Sequence, residues 1–307
     1  MADDESVTLN LVRLRRKVET RISNDAIKDM MRFIKTRCQV SFWGGQQPND
    51  FLEATLLMVL YHDLFKVGYQ RVCRSVQLDF DPSDRALIHN ASIFRYCLKN
   101  WAKTKIKLGD LGQWRQAARH VARPKPLDDV CLWTDSTDIP LTRGEGRGRK
   151  SDYWSYKLNK PGRRYLCFFD GLGQLRRIFG GHSPKWHDAE LLKSQASTVE
   201  EEFNGASIIG DQHFEALKGF FTNITFHAPF KHNPIKKKDK LKRGHKISKL
   251  TRSQIKYNQD VRTVRARVER PFSWLKQKFS TLNTWWEESE EQLDCLVFYA
   301  FGCYNMR

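Results

Sequence analysis

The strongest constraint on the fold is a change in hydrophobic pattern at the segment RPKPLDD, residues 123–129. Before this segment, apolar residues recur at intervals of three and four, which is typical of amphipathic helices. After it come short apolar runs that end in acidic or turn residues, which is typical of strands. Two prolines within the segment interrupt either pattern. We therefore predict a helical, DNA-binding region over residues 1–122 and a second domain over residues 123–307.

The first region contains four segments with helical spacing. Residues 7–38 form the first, and NDFLEATLLMVLYHDLF, residues 49–65, begins with an Asn/Asp capping signal. Further helical patterns follow at residues 66–78 and 83–105, with Gly68 as a turn signal between the second and third segments. These lengths suit a helix-turn-helix-like unit whose last helix, residues 83–105, enters a DNA groove. The alternative is a helical bundle that packs on the second domain.

The second region predicts a mixed α/β sheet flanked by helices. A short helix is predicted at DAELLKSQ, residues 188–195, and a long helical tract over residues 251–280, kinked at Pro271. The predicted strands are residues 130–137, 163–170, 175–181, 206–211 and 223–229. The apolar face of the long tract comprises Ile255, Asn258, Val261, Val264, Val268, Phe272, Leu275 and Phe279.

The chain has a large excess of positive charge. It carries 53 Lys and Arg against 35 Asp and Glu, a formal net charge of +18. Such an excess predicts an anionic partner, which could be nucleic acid, a membrane surface or an acidic protein. No apolar run approaches the roughly 20 residues that cross a bilayer, so we expect no membrane span. The acidic, polar start MADDESVTLN does not resemble a signal peptide, and we expect an intracellular protein.

The seven cysteines are scattered through the sequence, and none of them forms a C-x-x-C pair. This spacing argues against a structural zinc site and predicts reduced, mostly buried thiols.

Three acidic residues stand out in the basic second domain. Asp135 in LWTDST and Asp211 in SIIGDQHF are expected at strand ends, where α/β proteins build their sites. Glu269 in RVERPF lies on the long helical tract. Three converging carboxylates predict a site for Mg²⁺ or Mn²⁺, and two such ions about 4 Å apart can promote in-line attack on a phosphodiester. Alternatively, each aspartate is a loop or capping residue, and Glu269 forms an i, i+4 ion pair with Arg265.

Several motifs occur in an order that resembles the DDE endonuclease domain of PIF/Harbinger and IS5-like transposases. They are LWTDSTDIPL, GRKSDYWSYKLN, FDGLGQLRRIFGGHSPKWHDAELL, IIGDQHF and NQDVRTVRARVERPFSWLKQKF. The resemblance covers about residues 130–305 and implies an RNase H-like fold. It implies that Asp135, Asp211 and Glu269 are the catalytic residues and metal ligands, with His187 and Asp188 as an accessory pair. Ser136 follows the first aspartate where the family commonly has glycine.

Two basic stretches are expected to contact DNA phosphates. The insertion at residues 231–250 carries nine Lys and Arg with one Asp, and RGEGRGRK, residues 143–150, closely follows Asp135. The insertion also has the composition of a nuclear import signal, and a solvated charged loop is its alternative. The candidate DNA-contacting residues are Arg147, Arg149, Lys150, Lys236, Lys237, Lys238, Lys242, Arg243, Arg265 and Arg270.

These observations predict a metal-dependent DNA transposase that cleaves and transfers strands. The first alternative is a domesticated, non-catalytic DNA-binding or chromatin-associated protein that retains the fold, and the second is a nuclease acting on RNA or RNA–DNA hybrids. The expected partners are transposon ends and target DNA. The resemblance further implies a Myb-like accessory protein. We also expect a homo-oligomer and a nuclear location, or a cytoplasmic or nucleoid location in a prokaryote.

Overall fold

The computed structural model describes residues 2–38, 49–69, 71–72, 84–141, 152–231, 250–284, 286 and 288–307. Both basic stretches therefore fall almost wholly outside the described residues. The predicted DNA contacts that lie outside are Arg147, Arg149, Lys150, Lys236, Lys237, Lys238, Lys242 and Arg243.

The described part of the first region is helical, as its periodicity predicts. Residues 7–38 form two helices, because Ser23 starts a new one by accepting a hydrogen bond from the Ala26 amide at its side-chain oxygen. The helix over 49–65 has the predicted bounds. The five helices that can be described in this region are α1 (Ala2–Glu19), α2 (Asn24–Arg37), α3 (Asn49–Phe65), α4 (Asp84–Lys105) and α5 (Leu111–Ala118).

The second region contains the predicted mixed sheet. Its strands are β1 (Leu132–Pro140), β2 (Trp154–Ser155), β3 (Lys160–Asp170), β4 (Leu175–His182), β5 (Ser207–Ile209) and β6 (Thr225–His227). In space the order is β4-β3-β1-β5-β6, with β2 paired to the first residues of β3. Strand β3 runs antiparallel to both of its neighbours, β4 and β1, whereas β1, β5 and β6 run parallel. The central strand β1 therefore belongs to both halves of the sheet.

Helices and 3₁₀ turns cover this sheet. The α-helices are α6 (Asp188–Ser194), α7 (Ala196–Glu202), α8 (Arg252–Arg265), α9 (Glu269–Lys278) and α10 (Glu290–Asn305). The predicted kink in the long tract is confirmed, since a 3₁₀ turn at residues 266–268 separates α8 from α9 just before Pro271. Ile255 was wrongly placed on the buried face and is 46% exposed. In the first turns of α8, the side chain of Asn258 forms hydrogen bonds with the backbone of Phe230. The first buried side chain of this helix is that of Val261.

The two regions share one hydrophobic core. Helix α4 packs along α10 and buries Phe94, Leu98 and Trp101 there. A Cβ atom at Gly302 of α10 would lie 2.8 Å from the Trp101 ring, so the close approach of these helices requires glycine. This contact agrees with the alternative interpretation of the first region, a helical bundle that packs on the second domain. The DNA-reading role of α4 stays a prediction.

A buried ionic network joins the two regions at this interface. The Arg95 side chain, fully buried on α4, donates to both oxygens of Asp63 on α3 at 3.0 and 2.6 Å. Its other contacts are the carboxylate of Glu288, just before α10, and the Tyr69 hydroxyl at 2.7 Å. Tyr299 of α10 also donates to Asp63. A buried guanidinium with this many partners fixes how the helices meet the second region.

None of the described helices has the length and apolar composition needed to cross a membrane. The six described cysteines are free, as predicted.

We expect Arg95→Met to lower the free energy of unfolding by about 3–5 kcal/mol, because it leaves the buried Asp63 carboxylate without its cation. Urea unfolding followed by tryptophan fluorescence measures this change. As a control, Glu19→Gln removes a partly exposed i, i+4 ion pair with Arg15 and should cost no more than about 0.5 kcal/mol. Equal losses in the two variants would show that the network does not hold the regions together.

Candidate active site

Asp135 lies in the middle of β1 and not at its end, so its predicted position was wrong. The strand continues because residues 135–140 pair with residues 162–167 of β3. However, the parallel ladder between β1 and β5 stops at the pair Trp133–Ile209. Asp135 is thus two residues past the last paired residue on β1, and Asp211 is two residues past it on β5. Both carboxylates lie where the parallel part of the sheet ends.

Asp211 follows β5 and starts a 3₁₀ helix over Gln212–Leu217. Its Oδ1 atom accepts a hydrogen bond of 2.8 Å from the amide of His213, which is the capping role that the alternative predicted. Gly210 permits this turn, since a Cβ atom there would lie 2.5 Å from the Phe214 ring. A carboxylate has a second oxygen, so capping leaves Asp211 able to bind a cation.

Asp188, predicted only as an accessory residue, shares a cavity with both aspartates. The cavity has a volume of about 410 Å³, and Asp135, Asp188 and Asp211 all line it. Asp188 is the first residue of α6 and is 5% exposed. Its Oδ1 atom is buried without a hydrogen-bond partner in the described structure and lies 3.6 Å from Arg164 Nη1.

Burial raises the pKa of Asp188 to about 6, against the opposing effects of the Arg164 charge and a hydrogen bond from the Ser136 side chain. The negative charges of Asp211 and Asp135 raise this pKa further. Ser136 therefore contacts a carboxylate of the cavity. Asp135 and Asp211 are thus close enough to make ionisation of Asp188 more difficult.

Asp135 is held by two donors. Arg265 Nη1 lies 2.9 Å from its Oδ2 atom, and the amide of Ser136 donates to Oδ1 at 2.8 Å. Burial raises the pKa of Asp135, and this effect exceeds the lowering by Arg265, Lys157 and the Ser136 amide. Asp211 adds to the rise through its negative charge. Burial of this carboxylate thus outweighs the guanidinium that contacts it.

Glu269 does not line this cavity. It is the first residue of α9 with 68% of its side chain exposed, and its nearest cation is Arg265 Nη2 at 3.8 Å. The i, i+4 pair that the alternative predicted is therefore present. Arg265 contacts Asp135 through Nη1 and Glu269 through Nη2, so one guanidinium group links the two carboxylates.

Several cations and histidines surround the acids. Lys157 Nζ donates a hydrogen bond to the carbonyl of Ser136 at 2.9 Å. The pKa of Lys276 on α9 is lowered by burial and by the nearby positive charge of Lys157. The rings of His187 and His213 stack with centroids 4.9 Å apart at the cavity wall. His187 was identified from the sequence but His213 was not, and only its proximity to Asp211 in GDQHF could have indicated it.

Another acid of β1, Asp138, is neutralised by its surroundings. It is fully buried and accepts two hydrogen bonds from Arg164, at 2.8 and 2.9 Å, and one from Ser155 at 2.6 Å. Its charge is matched by a bidentate guanidinium, so Asp138 is a structural residue. Arg164 was not identified from the sequence either, and it links this structural pair to Asp188.

The donor set fits a hard divalent cation. Carboxylate oxygens are the ligands that Mg²⁺ and Mn²⁺ prefer, and the Oδ1 atom of Asp188, which has no hydrogen-bond partner in the described structure, is a free acceptor for such an ion. In the described residues, no group of three or more His, Cys, Asp or Glu side chains is arranged so that it could hold a metal ion. Arg265 supplies the positive charge next to Asp135, so this side chain must move for a cation to bind Asp135 and Glu269 together.

Comparison with known protein families identifies the second region. Residues 126–306 match the family model described as "Transposase DDE domain", which covers more than half of the chain. The matched segment runs from just before β1 to the end of α10 and includes every residue of the cavity. Comparison with curated proteins finds no match, and comparison with solved structures finds none.

We expect the stability of the metal-free protein to depend on pH through Asp188. The folded-state pKa of about 6 exceeds the unfolded value of about 3.9, so its stabilising contribution is complete below pH 4 and disappears as the pH rises through 6. Asp188→Asn cannot ionise and should gain stability relative to wild type, on the order of 3 kcal/mol, between pH 4 and 7. Urea titrations in EDTA measure the difference, and a value that stays constant over this range contradicts the raised pKa.

Proposed function

The chain belongs to the family of transposase DDE domains, and on that basis we propose that it is a metal-dependent DNA transposase that cleaves and joins strands. The observation that carries the proposal is that Asp135 and Asp211 both lie just past the end of the parallel ladder and line one cavity with Asp188. Buried acids with raised pKa values in a strongly basic protein are costly to stability. Cation binding gives such a cluster a purpose.

We further propose that the fold is RNase H-like and that the chain is of the PIF/Harbinger or IS5 type. The order of the sheet supports this fold, because three antiparallel strands are extended on one side of β1 by two parallel strands. The motifs around Asp135, Asp211 and Glu269 support the subtype.

In this proposal Asp135, Asp211 and Glu269 hold two Mg²⁺ or Mn²⁺ ions. Such an ion pair would activate a water or a 3′-hydroxyl and would stabilise the leaving oxygen of the phosphodiester. Arg265 leaves Asp135 when the site is loaded and turns its guanidinium to a DNA phosphate, to which it can donate two parallel hydrogen bonds. Glu269 is exposed and contacts the same guanidinium as Asp135, so in this proposal its side chain turns towards the cavity once Arg265 has left.

The surroundings of the cavity suit a DNA strand. Lys157 and Lys185 line it together with the acids, and Tyr156 on the same wall is 72% exposed. Exposed aromatic rings beside basic residues stack on unpaired bases in many single-strand sites. We propose that Tyr156 holds a base next to the bond that is cleaved.

We propose transposon ends and target DNA as the partners. The Myb-like accessory protein, the homo-oligomer, the nuclear or nucleoid location and DNA binding by residues 1–122 rest on the sequence patterns and the resemblance.

We expect Asp135→Ala, Asp211→Ala and Glu269→Ala each to reduce Mg²⁺-dependent nicking of plasmid or terminal-repeat DNA by at least about 100-fold, since each removes a proposed ligand. Glu269→Gln should fail similarly, because the amide keeps the shape but loses the charge. DNA binding should be retained, since phosphate contacts are made by other residues.

Glu201→Gln is a matched control, because Glu201 is an exposed acid on α7 outside the cavity. It should cleave like wild type. Near-normal cleavage by any one of the triad variants removes that residue from the site. Wild-type protein that binds DNA but never nicks it would instead support the non-catalytic alternative, and cleavage confined to RNA or hybrid duplexes would support the ribonuclease alternative.

We also expect the basic insertion to contribute phosphate contacts. Neutralising Lys236, Lys237, Lys238, Lys242 and Arg243 should weaken binding about equally for all DNA sequences. The slope of log affinity against log salt should fall by about 0.9 for each phosphate interaction that is removed. Titrations of wild-type and five-fold mutant protein at several salt concentrations test this, and parallel lines of equal affinity contradict it.

A further inference from the structure

A second cavity, of about 210 Å³, lies outside the candidate active site. The turn after β3, the α8–α9 junction and the end of α10 form its walls. We call it the arginine cavity and define it by Trp133, Gly173, Arg267, Arg270, Tyr304 and Arg307. None of these six residues lines the candidate active site. The proposed catalytic roles leave this cavity without a purpose.

Arg267 and Arg270 bring uncompensated positive charge to the arginine cavity. Both side chains are exposed, and within the described residues neither forms an ion pair with a carboxylate. Asp170, the acid in the cavity wall, is already fully engaged. Its Oδ1 atom accepts hydrogen bonds from the amides of Leu172 and Gln174, and its Oδ2 atom contacts Arg176 at 2.8 and 2.6 Å. The cavity wall therefore has no free carboxylate to neutralise the two arginines.

A third guanidinium is held at the rim by an aromatic ring. Arg307 lies 4.0 Å from the ring centroid of Tyr304, which is itself buried. Gly173, with a φ of +79°, forms the facing turn and has no side chain to fill the space. The result is a small, open depression with cations on several sides, which fits a compact anion better than an apolar ligand.

The arginine cavity lies beside the candidate active site. Trp133 and Asp135 are two residues apart on β1 and face the same side of the sheet, a separation of about 7 Å. On the helical side, Glu269 lies between Arg265, which contacts Asp135, and Arg270, which lines the arginine cavity. A DNA strand advances by about 3.4 Å per nucleotide along its axis. A strand over the active site thus passes the arginine cavity within a few nucleotides.

We propose that the arginine cavity binds one backbone phosphate of the DNA strand that crosses the candidate active site, a few nucleotides from the scissile bond. This inference rests on the proposed DNA-directed function and adds a defined anchoring point to it. Arg267 and Arg270 are positioning residues: they fix where the strand lies relative to Asp135 and take no part in the chemistry. A phosphate contact of this kind carries no base information.

The test compares Arg267→Gln/Arg270→Gln with wild type in fluorescence-anisotropy titrations of one duplex, in EDTA and at several salt concentrations. The double variant should bind several-fold more weakly, and its slope of log affinity against log salt should be about 0.9 smaller, as expected when one phosphate is no longer bound. Arg267→Lys/Arg270→Lys keeps the charge and should restore most of the slope. Circular dichroism shows whether each variant is folded.

Arg252→Gln/Arg262→Gln is the matched control, since it removes the same charge from exposed positions of α8 that line neither cavity. An unchanged slope in the control supports a defined site. If the slope falls as much in the control as in the test variant, or does not fall in the test variant, the proposal is overturned.

Inorganic phosphate distinguishes a free anion from a DNA phosphate. If phosphate, at matched ionic strength, binds wild type and not the test variant while the DNA slopes stay equal, the cavity takes a free anion and the proposal fails. Because these titrations contain no divalent metal, they stand independently of cleavage. If Asp135→Ala abolishes nicking but leaves the slope of log affinity against log salt unchanged, the result bears on the proposed catalytic role and not on phosphate binding by the arginine cavity.

Discussion

The register of β1 is the constraint on which the rest of the site depends. This strand pairs with β3 along its whole length but with β5 only as far as Trp133–Ile209. Because the parallel ladder ends there, the chain after β5 is free to turn at Gly210 and to place Asp211 beside Asp135. A shift of one residue in this register would direct Asp135 to the other face of the sheet and dismantle the cavity.

The charges around this register are balanced unequally. Asp138 is neutralised by a bidentate Arg164, whereas Asp135 shares Arg265 with Glu269, and Asp188 keeps an oxygen without a hydrogen-bond partner in the described structure. For Asp135 and Asp188, burial raises the pKa more than the neighbouring positive charges lower it. The protein tolerates this cost in a domain whose large hydrophobic core stabilises it elsewhere. Residual negative charge at one point of a basic chain is what a divalent cation requires.

The periodicity of the sequence predicted most of the architecture, since strands and helices are encoded by local spacing. The mixed sheet, the helix at 49–65 and the break before Pro271 all followed from it. Contacts between distant segments could not be predicted in this way. Asp188, Arg164 and His213 enter the site only through the packing of β3, α6 and the turn after β5. Arg265 lies 130 residues from its partner Asp135, and no local pattern encodes that pairing.

The proposed chemistry requires that Asp135, Asp211 and Glu269 form one cation site after Arg265 has moved. Anomalous diffraction from crystals of the DNA-bound protein grown with Mn²⁺ is the decisive measurement. We expect manganese within about 2.3 Å of carboxylate oxygens of Asp135 and Asp211, with Glu269 turned towards it and Arg265 on a phosphate. Manganese bound elsewhere, or an Arg265–Asp135 ion pair that persists beside bound DNA and Mn²⁺, would contradict this proposal.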